Sequence, residues 1–347
     1  MKVCIYGAGA IGGFVGVQLA RGGADVSLIA RGPHLAAMRK DGVRLLIAGE
    51  ERVAKLHCTE NAAELGPQDC VIVALKANAI SGATDAMTPL LGPDTSIVTA
   101  TNGLPYWYFY RSGDAFADTR LQSVDPGGKQ WDRLGPQRAI GCVVLPATEV
   151  IAPGVIRHDH GMKFPIGEPD GQTTPRIEAL RAAFEAGGLE APIRKDIRDE
   201  IWLKLWGNLC FNPISALTLA TLDVIIDDAE ASAVCRAMMA EAKTVGEKLG
   251  LRLRVDVERR IAGAAAVGAH KMSMLQDLER NRPMEIEALV GVIQELGRIA
   301  QVPTPTVDVV LALIRLRARH PVVLLPRAGA DAHAVPREHS AAVVAGH

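Results

Sequence analysis

Residues 1–13 read MKVCIYGAGAIGG, and no other stretch limits the possible folds as much. Val3-Cys4-Ile5-Tyr6 is a short apolar run of the kind that makes a strand buried on both faces. Gly7-Ala8-Gly9-Ala10-Ile11-Gly12 follows at once, and a helical pattern then runs to about Gly22. The spacing is G-x-G-x-x-G at a strand-to-helix turn. Gly7 allows the tight turn, Gly9 lets a pyrophosphate approach the backbone, and Gly12 lets helix and strand pack closely. The helix N-terminus adds free N–H groups and the positive end of a dipole. A second strand at Asp25–Ile29 completes the context that the motif requires.

The end of that second strand reports on the nucleotide. A carboxylate there holds the ribose 2′-hydroxyl of NAD. This chain has Ala30-Arg31-Gly32 instead, and Asp25 lies at the wrong end of the strand. A guanidinium in place of a carboxylate pairs with a 2′-phosphate, so the pattern favours NADPH.

Buried strands alternate with helices through the first part of the chain. Helical patterns cover 12–21 and 34–41, hairpin-like strands 43–47 and 53–58, and buried strands 69–75 and 96–100. This predicts an α/β fold with a Rossmann-type, doubly wound and mostly parallel sheet. Ligands of such sheets lie beyond the carboxyl ends of the strands. Lys76 follows one strand directly and Thr101-Asn102-Gly103 another, so both places face cofactor or substrate. Short strands at 140–145, 155–158 and 163–166 are expected to extend the sheet antiparallel. A helix at 175–187 closes the first domain, 1–195.

Beyond Asp196 strands vanish. Helical patterns at 196–212, 228–249, 256–267, 284–301 and 304–319 predict an all-helical second domain, 196–320. The tail, 321–347, is expected to be poorly ordered. At 347 residues there is room for two cores. A net charge of −1 gives no basic excess for nucleic acid. No apolar run approaches the ~20 residues of a membrane span, and the N-terminus has no signal-peptide core. The 6 cysteines include no C-x-x-C pair and read as buried thiols of a reducing compartment. These features together predict a soluble, cytoplasmic protein. His158-Asp159-His160 has no matching ligands nearby, so a hairpin turn is preferred to a metal there.

Two stretches leave alternatives open. Tyr106-Trp107-Tyr108-Phe109-Tyr110 is consecutive aromatic residues, which neither strand nor helix periodicity can bury together. It reads either as a pocket wall or as rings shared between an insertion and a subunit interface. A long polar loop, 113–135, follows it. Ile201 to Pro213 sets Lys204, Asn208 and Asn212 at i, i+4 and i+8, one stripe of an otherwise apolar helix. Buried amides need partners, so a substrate-lined cleft is preferred to a solvated face. Further on, Ser273 and Gln276 suit a capping box, Asn281-Arg282-Pro283 breaks the helix, and Glu285 falls in the next first turn.

Over residues 1–319 the chain resembles the ketopantoate reductase (2-dehydropantoate 2-reductase) family. The marks are GAGAIG, Lys76 after a strand, Thr101-Asn102-Gly103, KLWGNLCFNP from Lys204 and SMLQDLERNRPMEIE from Ser273. The resemblance implies that Lys204 and Glu285 are catalytic. It implies that Asn208 and Asn212 hold the hydroxyl end of the substrate, and that Ser273 and Asn102 hold its carboxylate. Gly7, Ala8, Gly9, Ala10, Ile11, Gly12, Arg31, Lys76 and Asn102 are then the NADPH site. A homodimer is plausible from the long helical part. The chain departs from the family's pattern in its aromatic stretch and its tail, so another 2-keto acid substrate stays open, as does a catalytically silent NADP sensor.

Overall fold

The computed structural model describes residues 1–113 and 115–320; the tail expected at 321–347 lies outside the described residues. The strand-rich part begins with β1 (Lys2–Tyr6), α1 (Ala10–Arg21), β2 (Asp25–Ile29), α2 (Gly32–Asp41), β3 (Val43–Ile47), β4 (Glu50–Ala54) and β5 (His57–Thr59). It continues with β6 (Gln68–Val73), α3 (Ala77–Met87), β7 (Leu91–Thr99), α4 (Lys129–Leu134), β8 (Ala139–Cys142) and β9 (Ala147–Ala152). β10 (Val155–His160), β11 (Ile166–Gly167) and α5 (Pro175–Ala186) complete it. The helical part comprises α6 (Ile197–Thr218), α7 (Leu222–Asp227), α8 (Ala229–Lys248), α9 (Val257–Ala265), α10 (Ser273–Glu279), α11 (Val292–Ala300) and α12 (Pro305–Arg319).

The main sheet has seven strands in the order β11-β8-β7-β6-β1-β2-β5. β1 pairs in parallel with β2 on one side and β6 on the other, so the chain reverses its winding at β1. Only β11 runs antiparallel in this sheet. Alternate residues serve two cores, as the pleat demands. Val3, Ile5, Cys70 and Ile72 pack towards α1 and α5. Cys4, Tyr6, Val71 and Val73 pack into a core continuous with the helices of the second half.

The expected sheet extension is corrected here. Of the three strands expected to extend the main sheet antiparallel, only β11 does so; β8 joins it in parallel, and β10, with β9, lies outside it. β9 and β10 join β3 and β4 in a second, four-stranded sheet, β4-β3-β10-β9, lying against α1. That pairing brings Val155 to Arg44, a partner far away in sequence that local patterning cannot reveal. In the aromatic stretch Tyr106, Trp107, Tyr108 and Phe109 are buried, each at most 4% exposed, and Tyr110 is half-buried. A succession of turns, with neither helix nor strand period, aims successive rings into one core. Trp107 donates its indole N–H to Thr99 Oγ1 at 3.2 Å, and Tyr108 donates its hydroxyl to the Arg198 carbonyl at 3.1 Å. Tyr108 also lies 6.4 Å from the Trp202 ring, so the stretch is a seat for α6. The expected polar loop contains α4 as well.

All six cysteines are buried free thiols. His158 stacks on Phe14 at 4.8 Å and bonds the Gly161 carbonyl, closing its turn.

Candidate active site

The glycine-rich turn adopts the expected form. Gly7 has φ +105°, and its N–H and that of Ala8 both reach the Ile29 carbonyl, at 3.2 and 2.9 Å. A Cβ on Gly12 would overlap the Gly7 carbonyl oxygen and press on Ile5, so the helix can approach the strand only without a side chain. Gly9 differs: a Cβ there would meet nothing within 4 Å. α1 also starts at Gly9 with no side-chain cap. The turn therefore offers an open cradle at a helix N-terminus, which fits a dinucleotide pyrophosphate. Arg31 is exposed just before α2; burial pushes the Tyr6 phenol up, and the nearby Arg31 guanidinium offsets only part of that. This geometry predicts opposite outcomes for two alanine substitutions. Gly9→Ala should keep its Tm but lose cofactor affinity, whereas Gly12→Ala should lower Tm by several degrees through overpacking. Thermal melts and nucleotide titration read both.

Beside this cradle the strand ends meet the helical half. α6 carries Lys204, whose ammonium donates to Asn102 Oδ1 at 2.8 Å and to the Val144 carbonyl. Burial pushes Lys204 down to about 8, and the pull of Cys142 and Glu285 the other way does not restore it. Asn102 donates its amide to Glu285 Oε2 at 3.3 Å. Glu285, 4% exposed, accepts the Ala77 N–H at 2.9 Å and pairs with Lys76 at 3.5 Å. Ala77 opens α3, so the carboxylate also sits at a positive helix end. The Lys76 ammonium reaches Asp277 on α10 at 2.7 Å. Burial works against its charge, and Glu285 and Asp277 more than offset that, so Lys76 titrates above its usual value.

Residues from both halves of the chain thus form one chain of contacts, Lys204–Asn102–Glu285–Lys76–Asp277. Gly103 permits the close approach: with φ +85°, its Cβ would lie 2.5 Å from the Ala288 carbonyl oxygen. Glu285 itself stands just before its helix, at the entrance to a π-helical turn, Glu287–Gly291, and not in a regular first turn.

Asn208 lies on the same stripe as Lys204, half-buried, and has no side-chain partner among the described residues. Asn212 is buried at 1% exposure, and its Oδ1 accepts Ser273 Oγ and the Met274 N–H, each at 3.0 Å. The expected Ser273–Gln276 capping box does not form. Asn212 caps α10 from another helix, and Gln276 turns to the Lys271 carbonyl. The Asn212 amide nitrogen is buried and has no partner among the described residues. Sequence reasoning missed Asp277. It lies at i+4 from Ser273, so whatever face presents one presents the other.

Comparison with known proteins places the chain among its relatives. The model of the family described as ketopantoate reductase PanE/ApbA matches residues 3–107, and that of its C-terminal part matches 196–318. The chain is 55% identical to the 2-dehydropantoate 2-reductase of Mesorhizobium japonicum, over 91% of this chain and 97% of that one. A crystal structure from Ralstonia solanacearum MolK2 is 42% identical, with TM-score 0.88, over 92% of this chain and 98% of that one. A PanE/ApbA family ketopantoate reductase from Ralstonia eutropha JMP134 is 29% identical, with TM-score 0.78, over 92% and 99%.

Proposed function

The chain belongs to the ketopantoate reductase family, a family of nicotinamide-dependent oxidoreductases, and we propose that it reduces 2-dehydropantoate to (R)-pantoate with NADPH, a step towards pantothenate. The observation that carries this reading is the Lys204–Asn102–Glu285 contact at the strand ends, next to the open cradle at Gly9. When bound, NADPH supplies a hydride to the carbonyl carbon. The chain's own task is to hold the keto acid and to give its oxygen a proton.

Lys204 is the proton donor of this proposal. An ammonium has three N–H donors. Asn102 and Val144 take two, leaving one for a substrate oxygen. That donor meets negative charge as it develops on the oxygen, and then passes its proton across. Asn208, with its free amide, holds the substrate's polar groups, together with Ser273 and the remaining N–H of Asn212. The domain division at 195/196 belongs to the same reading, with the keto acid held between the two parts. The six free buried thiols support a reducing, cytoplasmic setting. Light scattering decides between a monomer and the expected homodimer.

NADPH oxidation with a panel of 2-keto acids tests the assignment. Under this proposal 2-dehydropantoate has the highest kcat/KM. A different keto acid preferred over it would replace the substrate and keep the reaction class, while cofactor binding with no turnover on any acid would favour a sensor. The packing of Tyr106, Trp107, Tyr108 and Phe109 into the core supports 2-dehydropantoate over a substrate chosen by an extra aromatic wall. Arg31 tests the cofactor: Arg31→Ala should weaken NADPH by about tenfold or more and leave NADH nearly unchanged, as loss of a charged phosphate contact requires.

A further inference from the structure

We propose that His34 is a positioning residue for the cofactor, fixing the glycine-rich turn against the segment that carries Arg31. His34 lies in the first turn of α2, three residues after Arg31. Its Nε2 is 2.7 Å from the Ala8 carbonyl oxygen, inside the G-x-G-x-x-G turn. Its Nδ1 accepts the Gly154 N–H at 2.9 Å. Gly154 belongs to the turn between β9 and β10, on the second sheet. Its carbonyl in turn accepts the Arg44 N–H of β3 at 2.9 Å.

These partners determine the state of the ring. A carbonyl oxygen can only accept, so Nε2 carries the hydrogen. An N–H can only donate, so Nδ1 is bare. The neutral Nε2–H imidazole is the one form that satisfies both. One planar ring therefore joins the pyrophosphate turn, the start of α2 and the second sheet. Two things bind the cofactor's two phosphate regions under the proposed function: the cradle at Gly9 and the guanidinium of Arg31. His34 touches the Ala8 carbonyl next to the first and shares a helical turn with the second. It sets their separation without contacting the cofactor. The second sheet, which has no part in the proton-donating contacts, gains a role as the abutment of the cofactor turn.

This inference rests on the proposed use of NADPH, and the test separates the two. NADPH affinity is read by fluorescence titration with no keto acid present, alongside KM for NADPH and kcat. Gln at this position can place an amide N–H where Nε2 stands and keep the bond to Ala8. Asn can place an acceptor where Nδ1 stands and keep only the bond to Gly154. His34→Ala should raise KM and Kd for NADPH about tenfold, the scale of a lost hydrogen bond in a preorganised site, with kcat at saturating NADPH within about twofold of wild type. His34→Gln should recover most of the affinity and His34→Asn should not, although both melt at similar temperatures. Equal affinity for NADPH in all variants overturns the proposal, as does a fall in kcat with KM unchanged, or rescue by Asn rather than Gln. If the Ala variant fails to fold, the Gln and Asn pair still decides. A wild-type chain that binds NADH and not NADPH would overturn the cofactor assignment alone, and the same comparison would then be read with NADH.

Discussion

Lys204→Ala will lower kcat by at least ~10²-fold with 2-dehydropantoate, while NADPH still binds. The side chain supplies the proton in the proposed reaction, and nothing else in the contact chain can stand in for it. Asn102 has an amide, which does not ionise in this range. Lys76 is committed to Asp277 and Glu285. The buried Cys142 thiol, pushed up to about 12, holds its proton too tightly to act as an acid near neutrality. Steady-state kinetics with a parallel NADPH titration separates lost chemistry from lost binding. The same residue carries a cost to the fold. Its folded value is about 8, below its ordinary 10.5. Between those values the unfolded chain binds more protons than the folded one, so this group's contribution to stability rises with pH across that window. Below about pH 8 the penalty is fully present, at most about 3 kcal/mol at 1.36 kcal/mol per unit. Lys204→Met should therefore raise Tm at neutral pH while abolishing turnover. An unchanged Tm with turnover lost would mean that the ammonium is already well solvated.

The second large effect is expected at Glu285. No direct bond joins Glu285 to Lys204 among the described residues; the link runs through Asn102. An amide can present either end, and the carboxylate decides which. With its N–H₂ drawn to Glu285, Asn102 must turn its oxygen to Lys204. Glu285→Gln can donate as well as accept, so the orientation is no longer fixed and Lys76 loses one counter-charge. The expected result is a fall in kcat of about 10²-fold. Asn102→Ala should be far from additive with it, since both act on the same ammonium. Additive losses in a double-mutant cycle would show that Glu285 works by another route.

Much of this site was legible in the sequence because its parts rest on local rules. The G-x-G-x-x-G turn is specified by three glycines with steric duties, two of which a Cβ would violate. The stripe of Lys204, Asn208 and Asn212 follows from helical period alone. What stayed hidden depends on long-range neighbours. No local pattern shows that β10 pairs with β3, or that Asn212 caps a helix beginning at Ser273. Strand and helix periods do not decide the place of Tyr106 to Phe109, because a run of turns sends these successive rings inward. Asp277 and the Ala77 N–H were missed for a similar reason: each matters only because Lys76 or Glu285 arrives from the other half of the chain.

The most direct test of the central claim is the pH profile of kcat/KM for 2-dehydropantoate. This parameter reports the ionisation of the enzyme before the keto acid binds. An ammonium acid at Lys204 predicts a level profile near neutrality and a tenfold fall per pH unit above a midpoint of about 8, the value to which burial pushes that group. A profile that stays flat to about pH 10, beyond the reach of a depressed lysine, would contradict proton donation by Lys204.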